Sequence, residues 1–354
     1  MRNETRVKFL AYCSQIALLN NVPDATVKFT VDPVVEQRLE EVIKDSSEFL
    51  QSIQIVPVIE QSGQKVGVGV TRPLAGRVNT GAGNRRNPTD PSDTTDRGDY
   101  FCKQTNIDHA VSYAKLDAWR HRPEFERLMR DSIAKQWARD RIMIGFNGTS
   151  AAIATDLVAN PKLQDVNEGW LHKIRTEAPT RVLNDGDLTV NPLKAIYVDE
   201  AGVTSGVGQN ADYKTLDALV FDAVELIDEW HRDDTELVVI VGRDLVHDKY
   251  FPIIEKAGNT ATEMEAVDRI IRSARQMGGL PAVRVPFFPA NAVLITRLDN
   301  LSIYVQEGTR RRMVKDEPEY DRIANYESVN EAYVVEDYGM VALVENIVLG
   351  LKPA

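Results

Sequence analysis

The sequence predicts an α+β fold, and three observations support this class. Helical periodicity is strongest over residues 123–146, strict alternation of valine and glycine marks a strand at residues 66–70, and short strand patterns alternate with helical ones after residue 212. The 354 residues suffice for two or three domains, each with its own core. An apolar fraction of 43% and a charged fraction of 27% are typical of globular proteins.

The first 29 residues are predicted to form a separate arm. Residues 4–20 fit an amphipathic helix whose apolar stripe comprises Phe9, Tyr12, Cys13, Ile16 and Leu19. Four cations and two carboxylates give the arm a net charge of +2, whereas the whole chain carries −11. Asp32 and Pro33 then provide the N-cap and the first position of a second helix.

The segment that follows residue 55 is predicted to be a long two-stranded ribbon with a polar tip. Val66, Val68 and Val70 alternate with glycines and therefore share one face of the outgoing strand. Residues 71–100 contain few large apolar side chains, and structureless loops beyond about 12–15 residues are uncommon inside compact domains. Because an isolated hairpin is marginally stable in water, we expect these valines to pack on another subunit.

A long helix is predicted from Pro123 to about Phe146. Its length would be about 35 Å at the usual rise per residue, and Asn147 and Gly148 provide a C-cap pattern. The apolar side chains expected to face the core are Phe125, Leu128, Ile133 and Trp137.

After this helix, residues 149–212 are predicted to be an irregular connecting region. Helical patterns at 216–230 and 262–274 then alternate with strand patterns at 237–241, 282–287, 292–298 and 301–305. The last 34 residues return to strands, which are expected at 332–336 and 340–349.

The charge balance and the motifs argue against several classes of site. A net charge of −11 disfavours a nucleic-acid-binding surface, because that affinity depends on Lys and Arg contacts to phosphate. No apolar run approaches the ~20 residues that cross a bilayer, and the two cysteines have no zinc spacing, which suits a reducing, cytoplasmic folding compartment. No catalytic, cofactor-binding or metal-binding residues are predicted. A Ser–His–Asp triad needs no proximity in sequence, so a soluble α/β enzyme stays open as an alternative.

Long strings along most of the chain resemble the major capsid proteins of P2-like tailed phages, the peduoviruses. They include MRNETRVKF at the start, FTVDP at 29–33, NPKLQDVNEGWLHKIRTEAPTRV at 160–182, LVVIVGRDLVHDKYFPI at 237–253 and NYESVNEAYVVEDY at 325–338. The resemblance is weakest at the ribbon tip and at residues 183–211. Its strings are non-catalytic and occur in the family's order.

The resemblance implies an HK97-like capsid fold, onto which the predicted segments can be placed. They are an N-terminal arm (1–29), a mature N-terminal helix (30–54), an extended E-loop ribbon (55–116), the spine helix of a peripheral domain (117–148), a connecting region (149–212), an axial domain (213–320) and returning peripheral-domain strands (321–354).

The same resemblance implies a structural protein that assembles as hexamers and pentamers into an icosahedral head around double-stranded DNA. It also implies three partners: a scaffolding protein, a maturation protease that removes the arm, and a portal protein. No association with a membrane is expected. The charge change and the FTVDP string place the expected cut between Phe29 and Thr30. The protein is expected to assemble in the host cytoplasm and to reside in the virion. An encapsulin-like cellular compartment protein is the alternative within this fold class.

Overall fold

The structure is a computed structural model, and it describes most of the chain. The described residues are 1–65, 75, 77, 80, 85–86, 98–119, 125–187, 194–199, 211–245 and 276–352, with the side chains of 119 and 125–128 excepted. The predicted helix at 262–274 therefore lies outside the described residues, as do Val66, Val68 and Val70.

Seven α-helices and seventeen strands occur in the described residues. The helices are α1 (Asn3–Leu19), α2 (Pro33–Asp45), α3 (Glu48–Ser52), α4 (Tyr113–Trp119), α5 (Phe125–Asn147), α6 (Trp170–Glu177) and α7 (Leu216–Val224). The strands up to the connecting region are β1 (Phe29–Thr30), β2 (Gln54–Val58), β3 (Ser62–Gln64), β4 (Asp99–Phe101), β5 (Lys103–Asn106), β6 (His109–Ser112), β7 (Val182–Leu183) and β8 (Ile196–Val198). The later strands are β9 (Val238–Val241), β10 (Gln276–Met277), β11 (Leu280–Val283), β12 (Val293–Thr296), β13 (Leu301–Gln306), β14 (Arg311–Glu317), β15 (Arg322–Val335), β16 (Ala342–Val344) and β17 (Ile347–Leu349).

The chain divides into two compact units. Unit 1 comprises Met1–Gly63, Tyr100–His172 and Leu301–Val334, and unit 2 comprises Gln64–Asp99, Lys173–Asn300 and Val335–Ala354. Each unit is assembled from segments that are distant in sequence.

Unit 1 is built on a seven-stranded sheet. The strand order is β1-β14-β15-β13-β2, and β5 and β6 also pair with β15. The long strand β15 runs antiparallel to β14 and to β5 and β6, while β13 and β2 are parallel. Helix α2 begins as the sequence predicts, because the side chain of Asp32 accepts a hydrogen bond from Val34 N at 2.9 Å and Pro33 occupies the first turn.

Unit 2 is built on a six-stranded mixed sheet of order β10-β11-β9-β12-β16-β7, together with a parallel pair, β8 and β17. Helix α7 packs Leu216, Leu219 and Val220, all fully buried, into the core that this sheet also lines. The predicted buried strand at 237–241 is β9, whose Val239 and Ile240 are fully buried.

Strand pairing joins several of the predicted segments to one another. Residues 301–320, assigned from sequence to the axial domain, form β13 and β14 in the sheet of unit 1, and β16 and β17 from the predicted C-terminal peripheral strands pair within unit 2. Strands β5 and β6 from the predicted ribbon pair with β15, and α4 replaces the ribbon strand expected up to Leu116. Alternation identifies a strand but not its partner.

The helix predicted for residues 216–230 is shorter in the structure, where α7 ends at Val224. The chain after Val224 continues as successive turns, in which Leu226 N donates to Ala223 O at 3.1 Å and Ile227 N donates to Val224 O at 3.0 Å. Side chains bind the carbonyls of this segment: Arg181 donates to Leu226 O, and Arg232 Nε donates to Ile227 O at 2.7 Å.

Candidate assembly and maturation elements

The arm packs on unit 1 through the inner face of α1. Cys13, Ile16 and Ala17 are buried against Val314 and Ile323 of the sheet. Burial, with a smaller contribution from the Asp24 charge, raises the pKa of the Cys13 thiol to about 11. Leu19, expected on the apolar stripe, is 55% exposed.

The first turns of α1 are held by α4. Thr5 Oγ1 donates to Asp117 Oδ1 at 2.5 Å, and Arg2 N donates to the same oxygen at 3.1 Å. These hydrogen bonds lower the pKa of Asp117, because they favour its charged form. The arm is therefore held by an apolar cluster that it shares with the sheet and by hydrogen bonds to Asp117 of α4.

The expected cleavage point, between Phe29 and Thr30, lies in β1 at the edge of the seven-stranded sheet. Phe29 is opposite Arg312 and Thr30 is opposite Arg311 in the antiparallel pair with β14. Phe29 is 9% exposed, whereas the Thr30 side chain is exposed. The bond therefore has an extended backbone but is paired along one side.

A charge cluster joins α2 and α5 to the seven-stranded sheet. Glu40 of α2 accepts hydrogen bonds from Arg141 of α5 at 2.7 and 3.0 Å and from Arg310 at 2.9 Å. Arg141 also pairs with Glu331 at 2.5 Å, and Arg310 pairs with Glu327 at 3.0 Å. Both arginine side chains are at most 1% exposed, so their charges are neutralised by these three carboxylates.

The expected core residues of the long helix have different positions. Trp137 is 4% exposed, and the guanidinium carbons of Arg310 and Arg141 lie 4.4 and 5.0 Å from its ring centroid. Ile133 is half-buried, and the side chains of Phe125 and Leu128 lie outside the described residues. Cation–π contacts thus add to the charge cluster.

The sequence analysis missed the charge cluster and a neighbouring aromatic cluster. Arg141 follows Trp137 by four residues and therefore shares its helix face, which was a usable signal. The aromatic cluster consists of Phe49, Phe146, Trp170 and Tyr333, with successive ring centroids between 5.2 and 6.2 Å apart. Its members come from four separate segments, so no local pattern indicates it.

Strands β3 and β4 pair at the base of the predicted ribbon. Beyond them, Val66, Val68 and Val70 lie outside the described residues, so their expected packing role stays a prediction. Lys103, at the start of β5, forms an ion pair with Glu168 at 2.8 Å.

The described residues contain no group of three or more His, Cys, Asp or Glu side chains placed to hold a metal ion. Within the same parts of the chain, no helix combines the length and the apolar character needed to cross a membrane.

Comparison with known proteins identifies the family. The profile described as "Phage major capsid protein, P2 family" matches residues 8–347. The chain is 46% identical to the capsid protein of Escherichia phage P2, over 99% of this chain and 96% of that protein. It is 45% identical to the major capsid protein of Serratia phage KSP20, over 98% and 97% of the two chains.

A solved structure agrees with this assignment. A chain of the satellite phage P4 procapsid, determined with the size determination (Sid) protein, matches with a TM-score of 0.80 and 44% identity over 99% of both chains. The predicted α+β, HK97-like capsid fold is therefore confirmed, and so is a structural rather than enzymatic function. The protein is a shell component of the virion that oligomerises in the procapsid, and it belongs to the P2 family of phage major capsid proteins.

Proposed function

We propose that this chain assembles as hexamers and pentamers into a procapsid around a scaffolding protein, and that the arm is later removed by a maturation protease. The observation that carries this proposal is the position of the arm, whose helix α1 is followed along the chain by the edge strand β1. The resulting shell would enclose double-stranded DNA and would carry a portal protein through which the DNA enters.

The charge distribution supports this account. The arm carries a net positive charge, whereas the whole chain carries −11. A predominantly acidic shell repels the phosphate backbone and therefore would enclose DNA without sequence-specific binding. Assembly would take place in the host cytoplasm.

The proposed cleavage point is the bond between Phe29 and Thr30. Proteases bind substrates as extended strands, and peptide segments commonly add to exposed sheet edges. As an edge strand, β1 already has this backbone form, but its pairing with Arg311 and Arg312 on β14 must open before the bond can enter an active site. We therefore expect cleavage to follow a loosening of the arm. Cys13 would leave with the released peptide.

The spine helix and the ribbon would have complementary roles in the shell. Phe125, Leu128, Ile133 and Trp137 would keep the spine helix on its own subunit. Val66, Val68 and Val70 would pack the ribbon on a neighbouring subunit, so that each capsomer closes through repeated contacts of the same kind.

The N-terminus of the chain in particles tests the proposed cleavage. Procapsids and mature virions would be purified from the same infection, and the intact mass of the capsid chain would be measured in each. We expect full-length chain in procapsids and a chain beginning at Thr30 in virions. An intact N-terminus in mature virions would contradict arm removal, and a different new N-terminus would contradict the proposed bond.

A further inference from the structure

Lys65 is a buried lysine at the base of the ribbon. Lys65 is only 6% exposed, although lysine is almost never fully buried unless it is paired. The ammonium donates to Val335 O at 2.5 Å and to Glu336 O at 3.0 Å, and it lies 4.3 Å from the centroid of the Tyr338 ring. Two carbonyl dipoles and an aromatic face therefore replace the water that this charge loses.

The returning strand of the ribbon contacts the same lysine. Lys65 N donates to Gly98 O at 3.2 Å. A Cβ atom on Gly98 would lie 2.8 Å from Lys65 Cε and 3.3 Å from Glu177 Oε2, so any side chain at this position would displace one of them. Glu177 in turn accepts a hydrogen bond from the Tyr338 hydroxyl at 2.7 Å. We call Lys65, Gly98, Glu177 and Tyr338, with the carbonyls of Val335 and Glu336, the ribbon clamp.

The turn that receives Lys65 is itself firmly held. Asn300, 4% exposed, accepts from Asp337 N at 2.8 Å and donates to Asp337 O at 2.9 Å. Its own carbonyl accepts from Glu336 N at 3.0 Å, and the Asp337 side chain accepts from Gly339 N at 2.7 Å. The clamp therefore joins Lys65 directly, and Gly98 through Lys65, to a hydrogen-bonded turn within unit 2.

We propose that Lys65 is a positioning residue that sets the direction in which the ribbon leaves the subunit and so determines whether neighbouring subunits close into a shell. This inference rests on the proposed inter-subunit role of the ribbon. A buried ammonium is a poor choice for stability alone, since an apolar side chain of similar length packs without the cost of removing a charge from water. What the ammonium adds is direction, because its donors fix the chain to two specific carbonyls.

The test is the variant Lys65→Met in the full chain, produced together with the phage scaffold and imaged by negative-stain electron microscopy. Methionine keeps most of the length of the stem and removes the charge. We expect a folded, soluble subunit with unchanged far-UV circular dichroism and a loss of most closed shells of normal diameter. Lys103→Met is the matched control, because it removes another lysine of the predicted ribbon, one that pairs with Glu168 outside the clamp. Normal shells are expected from it.

Two more variants separate the possible failures. Gly98→Ala perturbs the clamp from its other side and should reproduce the defect of Lys65→Met. If both clamp variants form normal shells while Val68→Asp abolishes assembly, the positioning role of the clamp is wrong, but the proposed role of the ribbon stands. Normal shells from Val68→Asp would overturn the proposed role of the ribbon, and the inference with it. If both clamp variants fail to fold, or if Lys103→Met gives the same defect, the clamp is not a positioning device.

Discussion

Arg141 of the long helix and Glu331 of the central strand form an ion pair in which each side chain is only 1% exposed. The same guanidinium binds Glu40 of α2, so one side chain ties two helices to the sheet. A buried ion pair of this kind stabilises the fold no more than two apolar side chains in its place would. Removing only one partner, however, leaves the other charge buried without an ion-pair partner, which is strongly destabilising.

We therefore expect Arg141→Met to destabilise the unassembled subunit by about 3–5 kcal/mol. Urea unfolding of the full chain, followed by circular dichroism, measures this. Arg130→Met is the control, because Arg130 pairs with Asp131 at the surface and is 61% exposed; its loss should change stability by about 1 kcal/mol or less. Equal losses of stability from the two substitutions would show that the buried cluster stabilises the fold no more than the surface ion pair does.

Glu36 and Glu40 lie one turn apart on α2 and should have opposite effects on pH dependence. Burial raises the pKa of Glu36 above its ordinary value of 4.5, although Arg310 opposes this. Burial also disfavours the charged form of Glu40, but Arg141 and Arg310 outweigh it and hold its pKa below 4.5. The stabilisation from Glu40 is therefore present above pH 4.5 and lost as the pH falls through its lowered pKa, whereas Glu36 weakens the fold above its raised pKa.

At pH 7, Glu36→Gln should stabilise the subunit and Glu40→Gln should destabilise it. Both differences from the parent chain should shrink in acid, because a protonated glutamate resembles glutamine. Unfolding midpoints measured from pH 7 down to well below pH 4.5, where the Glu40 contribution is lost, test this. A stability change of the same sign for both variants at pH 7 would contradict the assigned environments.

Gly145→Ala should destabilise the subunit although it lies in a helix. Alanine raises helix propensity by up to about 1 kcal/mol, but its Cβ would overlap Cζ3 of the Trp170 ring. The indole cannot retreat, since it is fully buried and its Nε1 donates to Ser302 O at 3.0 Å. Overpacking typically costs about 1–3 kcal/mol, so a net loss is expected. Ser132→Ala, on an exposed position of the same helix, should change stability by no more than about 0.5 kcal/mol.

How far the sequence predicts this structure depends on whether a feature is local. The cap at Asp32 and the buried strand at Val238–Val241 follow from neighbouring residues, and the structure contains both. The pairing of β5 and β6 with β15 joins segments more than 200 residues apart, and alternation of side chains does not specify such a partner. The charge cluster is non-local for the same reason, although the position of Arg141 on the face of Trp137 was a visible signal.

Val68→Asp should leave a soluble, folded subunit but prevent shell formation. A buried valine contributes about 1.5–3 kcal/mol at most, yet the loss is repeated at every subunit contact around a capsomer. Sedimentation velocity of the co-expressed scaffold and variant chain measures the assembled fraction. Thr71→Asp places the same charge just beyond the strand predicted at 66–70 and serves as the control; assembly of Val68→Asp at the control level would contradict the proposed packing face.

The most direct test of the central claim is negative-stain electron microscopy of the full chain, expressed alone and with its scaffold. We expect regular closed shells with the scaffold, and misshapen shells or tubes without it. A monodisperse small oligomer under both conditions would contradict self-assembly into a head shell.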